Sequence, residues 1–271
     1  MRIRVPILGV VGHRKSGKTT VIETIVQELA KKGYRVATAK HTGQKGFSMD
    51  AEGKDTWRYA RAGANPVVCV SDVETAILIK DGETKFSLDQ LFKFMPEIDV
   101  IVLEGFSQLV LNDDGIGKTL CVKDREEYKD FREKAKGEII TPCSIQSLGS
   151  PILRIEEDAQ ILVDKAFKYT EKEKEILKTL SLLPRINCGD CGRSSCEELA
   201  SDIYEGKAKL NDCVILKLRP KLKTRMTING DEIPLNPFVS EIIRKSILGM
   251  TSSLKEVSIS GDEEVHVKIL S

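Results

Sequence analysis

Val5-Pro6-Ile7-Leu8-Gly9-Val10-Val11 runs directly into Gly12-His13-Arg14-Lys15-Ser16-Gly17-Lys18-Thr19, and the junction between the two stretches decides the fold. The first is a short apolar run without polar alternation, the pattern of a strand buried on both faces in a parallel sheet. The second matches G-x-x-x-x-G-K-[ST]. Beyond it Val21, Ile22, Ile25, Val26 and Leu29 recur with helical period, and Gly33 supplies a stop. Strand, glycine-rich turn and helix in that order make a phosphate loop. Gly12 and Gly17 let successive N–H groups point into one concavity, and the helix adds its N-terminal donors and the positive end of its dipole. Lys18 can reach the β- and γ-phosphates, and the Thr19 hydroxyl can ligate Mg²⁺. With Lys15, Ser16 and Thr20 these residues form the candidate nucleotide-binding set. A glycine-rich turn that happens to carry a lysine would lack the flanking strand and helix. Gly115-Ile116-Gly117-Lys118-Thr119 imitates the motif, but Asn112 stands where its first glycine belongs and Asp113 and Asp114 would repel phosphate. That stretch reads as a loop between strands.

Working outward, Tyr34–Lys40 reads as a second strand, Lys54–Ala62 as a short helix ended by Gly63, and Pro66–Val70 as a third strand. Thr75–Ile79 and Lys85-Phe86 flank Asp81-Gly82, a hairpin signal. Val100–Leu103 is a further buried strand. Strands alternating with helices predict an α/β domain of the P-loop NTPase type, a mostly parallel sheet flanked by helices, over residues 1–168. Thr170 and Glu173 form a capping box that opens a helix through Leu182, and the cysteine-rich region follows. Asn229-Gly230 reads as a hairpin turn, Asn236-Pro237 as a helix start, and Val257–Ser260 and Val265–Leu270 as closing strands. Residues 169–271 are therefore expected to form a smaller α+β domain that holds the cysteine-rich region.

Lys and Arg (42) nearly cancel Asp and Glu (41), leaving a net charge of +1 and no electrostatic reason to expect nucleic acid as a partner. No apolar run approaches the roughly 20 residues that span a bilayer. Seven cysteines, four of them crowded between 188 and 213, do not look like a disulfide framework in a chain of 271 residues. A reduced, cytoplasmic protein is expected.

An acidic residue on a strand neighbouring the phosphate loop commonly holds Mg²⁺. Glu104, at the carboxyl end of its strand, is better placed for this than Asp99 at the start. Lys40-His41-Thr42-Gly43, Phe47, Asp50, Gly53-Lys54-Asp55-Thr56-Trp57-Arg58 and Ala62-Gly63-Ala64, taken with the phosphate loop and Glu104-Gly105-Phe106, resemble the molybdopterin-guanine dinucleotide biosynthesis protein B family over about Val5–Ala166. The resemblance implies GTP binding, a homodimer, and a helper role beside a separate enzyme that transfers GMP onto molybdopterin. No Asn-Lys-x-Asp motif is present, so guanine preference is implied by the resemblance alone. His41, Asp50 and Lys54 are candidate contacts to the γ-phosphate, its Mg²⁺ or an anionic pterin; equally, His41 can be an ordinary loop residue, and Asp50 can pair with Lys54-Asp55. Gln44 and Lys45 stand where the family often has further histidines.

Cys188, Cys191, Cys196 and Cys213 follow C-x2-C-x4-C-x16-C. Four thiolates can enclose an iron–sulfur cluster or Zn²⁺. Three close ligands in a loop with a distant fourth suit the larger cluster, and Gly189 and Gly192 permit a tight wrap. Asn187–Cys196, with Gly206 and Cys213, is similar to the four-cysteine [4Fe–4S] domain of corrinoid iron–sulfur proteins and of some electron-transfer subunits. Cys69 and Cys121 lie in apolar runs and read as small core residues, while Cys143 fits either the core or a loop. Three functions compete: a cofactor-assembly helper, a nucleotide-gated electron-transfer device, and an adaptor whose cluster domain only docks.

Overall fold

Parallel strands apolar on both faces need a helical layer on each side. The computed structural model describes residues 5–44, 46–80, 97–218, 222–228 and 231–255, and it divides into two compact units, one up to Thr170 and one from Glu171.

In the first unit the strands β1 (Ile7–Val11), β2 (Val36–Lys40), β5 (Val100–Glu104), β6 (Gly117–Cys121), β7 (Ile139–Ser144) and β8 (Leu153–Arg154) form one sheet in the order β2-β5-β1-β6-β7-β8. Every pairing in it is parallel. The register sets Val10 beside Glu104 on one flank and Thr119 on the other, so β1 delivers the chain to the middle of the sheet's carboxyl edge. On one face, Val21, Ile25 and Leu29 of helix α1 (Lys18–Lys31) and Leu162, Ala166 and Tyr169 pack over Leu8, Val10, Val100, Val102, Cys121 and Cys143. On the other, Val110 and Leu111 of α3 (Ser107–Asn112) and Phe131 of α4 (Arg125–Lys134) cover Ile7, Val11, Ile101, Leu103 and Leu120.

Helix α2 (Asp55–Arg61) and the antiparallel pair β3 (Val67–Val70) and β4 (Thr75–Leu78) stand apart from the main sheet. Thr75–Leu78 therefore pairs back onto β3, through a turn in which Ser71 Oγ accepts the Val73 and Glu74 N–H groups. The expected Asp81-Gly82 hairpin lies outside the described residues. Cys69 on β3 is exposed, contrary to the core reading, because β3 lines no layer of the main sheet.

Two further expectations are corrected. Gly115–Thr119 is no loop: from Gly117 it enters β6, fully buried between β1 and β7. Lys118 is wholly buried there, its Nζ donating to the carbonyls of Asp113 (2.6 Å) and Ile116 (2.5 Å). Burial pushes its pKa down, against the pull of Asp113 and Asp114. Nor does Thr170 open a helix. Helix α5 (Ala159–Leu182) runs straight through it, and the buried Thr170 hydroxyl donates back to the Ala166 carbonyl, 2.9 Å away.

The second unit gathers Ile176, Leu180 and Leu183 around Cys196, Leu199 and Ala200 of α6 (Cys196–Tyr204), Cys213, and Ile215 of α7 (Val214–Leu218). A two-stranded antiparallel sheet, β9 (Met226–Ile228) with β10 (Asp231–Ile233), precedes α8 (Pro237–Ser252), which is capped by Asn236 as the sequence predicts. The Asn229-Gly230 turn and the closing strand-like runs lie outside the described residues.

Candidate functional site

The phosphate loop leaves β1 at Val11 and ends where α1 begins at Lys18. Its tightness has a measurable cause. A methyl group on Gly12 would lie 2.2 Å from the Cys121 carbonyl oxygen and 2.5 Å from Ser16 Oγ, and one on Gly17 would lie 2.5 Å from Ile155 Cδ1. Gly17 also takes φ 87°, a left-handed conformation that L side chains resist, at the N-cap of α1. No side chain caps that helix, so its first-turn donors and dipole are left to a ligand. Ser16 is buried (2% exposed) and its hydroxyl has no hydrogen-bond partner among the described residues. A buried donor waiting in a glycine-lined cradle fits an anion such as a phosphate. Lys18 Nζ rests on the His13 carbonyl at 2.7 Å. Lys15, with φ 63°, and Thr19 and Thr20 are exposed around the same turn.

One strand away, Glu104 ends β5, its side chain 14% exposed and its Oε1 3.0 Å from Lys40 Nζ. The His41 N–H donates to the Glu104 carbonyl (2.9 Å), and the His41 ring lies 5.5 Å from that of Phe106. His41 and Glu104 therefore share the carboxyl edge to which β1 delivers the loop. Asp50 is engaged elsewhere: its side chain is 3% exposed, pairs with Lys80 (2.5 Å) and accepts the Thr56 hydroxyl (2.7 Å). Those hydrogen bonds, Lys80 foremost, hold its carboxyl below the usual range. Lys54 is the N-cap of α2, and Asp55 faces Arg58 at 3.7 Å, so Asp50 does not pair with Lys54-Asp55.

In the second unit Cys188, Cys191, Cys196 and Cys213 all line one pocket, together with Ile186, Leu199 and Ile215 among others. Backbone turns bring them there: Arg185, Asn187, Gly189 and Gly192 all have positive φ between 47° and 78°. Asn187 Oδ1 accepts the Cys196 N–H (2.8 Å), closing the loop onto the start of α6, which Ser195 caps. Arg193 donates to the Cys191 carbonyl and to Asp202, pinning the loop to the helix. Cys196 and Cys213 are buried and Cys188 is exposed. Among the described residues no three His, Cys, Asp or Glu side chains converge on a single ion. Four thiols around one pocket suit a multinuclear cluster, whereas a lone Zn²⁺ holds each thiolate at about 2.3 Å from one point.

Sequence reading quoted Asn187 and Arg193 in the cysteine motif but missed their bonds, and it missed the His13–Glu127 contact. Asn187 alone had a signal, a short acceptor beside the first cysteine, free to bond neighbouring backbone. Arg193 to Asp202 and His13 to Glu127 join residues that sequence spacing does not bring together.

Two family models match separate stretches of the chain. Residues 7–125 match the family model described as molybdopterin guanine dinucleotide synthesis protein B, and residues 183–215 match one described as "Putative Fe-S cluster". A Methanocaldococcus jannaschii protein, named a "Putative molybdopterin-guanine dinucleotide biosynthesis adapter protein", is 30% identical over 97% of both chains. The chain belongs to this adapter family. A Haemophilus influenzae adapter protein is 36% identical over 110 residues, 40% of this chain and 61% of its own. The crystal structure of Bacillus subtilis MobB is 25% identical, covers 61% of this chain and 98% of its own, and superposes with a TM-score of 0.46. The adapter-family match contains the phosphate loop, His41, Asp50, Lys54 and Glu104; the second match contains all four pocket cysteines. No helix among the described residues is long and apolar enough to cross a membrane.

Proposed function

We propose that this chain binds GTP–Mg²⁺ at Gly12–Thr20 and serves as an adapter in molybdenum or tungsten cofactor biosynthesis, assisting a separate enzyme that attaches GMP to molybdopterin. The observation that carries the nucleotide reading is the glycine-lined turn with the unpartnered, buried Ser16 hydroxyl at an uncapped helix start. In this reading Gly12, Lys15, Ser16, Gly17 and Thr20 surround the phosphates, Lys18 leaves the His13 carbonyl for the β- and γ-oxygens, and Thr19 with Glu104 holds Mg²⁺. His41 lies beside Glu104 on the same edge and is the candidate to report the state of the γ-phosphate. No water-positioning group is apparent among the described residues, so GTP hydrolysis is expected to be slow. Calorimetry is expected to show GTP–Mg²⁺ bound more tightly than ATP–Mg²⁺, and Lys18→Ala to weaken binding at least ~10-fold, as loss of charged hydrogen bonds implies. Equal affinities for the two nucleotides would remove the guanine assignment.

For the cysteine pocket the reading is a [4Fe–4S] cluster on Cys188, Cys191, Cys196 and Cys213. Oxygen-free protein should then be brown, with iron and acid-labile sulfide in equal amounts; a colourless, zinc-loaded preparation would refute it. Cys188 is exposed, which would leave one edge of the cluster near the surface and favours nucleotide-gated electron transfer as the second reading. A reduction potential that shifts on GTP binding would select it. A homodimer is also proposed, supported by the apolar residues that β3, β4 and their flanks leave exposed: Val68, Val70, Val73, Ile77 and Ile79.

A further inference from the structure

Among the described residues that line the four-cysteine pocket, Arg193 is the only Lys, Arg, Asp or Glu. It follows Gly192, whose φ of 78° turns the chain inside the motif, and its guanidinium reaches in two directions. Nη1 donates to the Cys191 carbonyl at 3.1 Å, and Nε donates to Asp202 Oδ2 on α6 at 3.0 Å. Both charged side chains are largely shielded, 21% and 26% exposed. Asp202 is itself tied onward. Its carbonyl accepts the N–H groups of Lys207 (2.8 Å) and Ala208 (3.2 Å), on the stretch that leads to Cys213. One guanidinium thus links the loop that holds three of the cysteines to the segment that delivers the fourth, a task that suits a rigid planar fork. Neighbouring acids have other partners: Glu198 accepts from the Ser194 N–H and hydroxyl, Asp212 accepts the Lys209 N–H, and Glu205 pairs with Lys207.

We infer that Arg193 is a positioning residue of the cysteine pocket which, balanced by Asp202, sets the reduction potential of the iron–sulfur cluster held there. The inference rests on the cluster reading above. Reduction adds one negative charge among four thiolates, and a cation fastened to the Cys191 carbonyl stabilises it. Arginine keeps its proton throughout the working range of proteins, so this stabilisation is permanent. Asp202 carries the opposite charge and tempers it. Both groups are partly buried, where screening is weaker than in bulk water, and cluster potentials respond to the charge and hydrogen bonding around them.

The test is a redox titration of the full chain, purified without oxygen, with dithionite as reductant. Wild type, Arg193→Gln, Arg193→Lys and Asp202→Asn are compared, and iron and acid-labile sulfide are measured on each. The asparagine keeps an acceptor for Arg193 Nε and removes only the charge. Poised at the wild-type midpoint, Arg193→Gln should show a reduced-to-oxidised ratio roughly 3–10-fold lower, and Asp202→Asn one higher by a similar factor. Arg193→Lys, which keeps the charge, should return most of the loss. Shifts of opposite sign at equal iron content do not arise from a clamp whose removal merely loosens the loop. If Arg193→Gln fails to retain iron, Asp202→Asn decides alone, and an unmoved or lowered potential there overturns the inference. Coincident midpoints, shifts in one direction, or a lysine variant as low as the glutamine one would also overturn it, leaving the cluster in place. Wild type without iron and sulfide would overturn the cluster reading, and this inference with it.

Discussion

Lys118 stands wholly inside the central sheet beside the strand that carries the phosphate loop. Its pKa is pushed down by burial, so between that lowered value and the ordinary one the unfolded chain binds more protons than the folded chain. Stability contributed by this group accordingly rises with pH over that window. The difference in denaturation midpoint between wild type and Lys118→Met should grow in favour of wild type as pH approaches about 10.4. A flat difference would mean that the ammonium is solvated. Gly12→Ala drives a methyl group into the Cys121 carbonyl and should cost about 1–3 kcal/mol of stability, along with triphosphate binding, both read in one thermal-shift titration. At this scale the phosphate loop was legible because anion binding imposes local rules: glycine where backbone must approach, lysine at the helix start. Lys118 was not, because Gly-x-Gly-Lys-Thr is compatible with a turn, and only the sheet around it shows that its ammonium is satisfied by two carbonyls. Cys69 misled for a related reason: Val-Val-Cys-Val is apolar enough for a core strand, and nothing local says that its hairpin lies off the main sheet.

Among the elements, those opening on a side-chain cap are held most clearly. Asp124 Oδ1 accepts the N–H groups of both Glu126 and Glu127 at the start of α4, so Asp124→Ala should lower stability by about 1 kcal/mol, measured by chemical denaturation. Since α4 carries Glu127 and Phe131, the same change should also loosen the grip on His13. The cap at Asn236 was readable because Asn-Pro at a helix start leaves few alternatives. Thr170-x-x-Glu173 carried the same kind of signal and was misleading: inside a 24-residue helix the threonine hydroxyl turns back to the carbonyl a turn earlier, a bond that sequence cannot distinguish from a cap. Strands β6 and β7 escaped notice because Lys118, Thr119, Thr141 and Pro142 interrupt their apolar pattern, although all four are buried.

For the molecule as a whole, the two cores draw on separate stretches of chain, one ending at Tyr169 and the other beginning at Ile176. Chelation of a bound cluster should therefore lower the thermal transition of the cysteine-rich unit and leave that of the nucleotide unit in place, as calorimetry with and without iron would show. A single transition that moves as one would contradict this. The α/β class and the cysteine-rich second half were visible in the chain because periodicity and ligand spacing are one-dimensional properties. Which strands flank β1 is a property of crossover connections that no local pattern records.

The exposed thiol on β3 has a practical corollary. Cys121 and Cys143 are buried, with their sulfurs 3.6 Å apart, and in the proposed holoprotein the pocket cysteines are ligated. Cys69 is then the one thiol open to alkylation, a natural attachment point for a fluorophore. It lies on the same ribbon as Val68, Val70 and Ile77, the residues proposed to meet a second copy, with its side chain on the opposite face of the pleat. Maleimide labelling of the intact chain should therefore stay rapid as protein concentration rises, placing a reporter behind the proposed meeting face without any mutation.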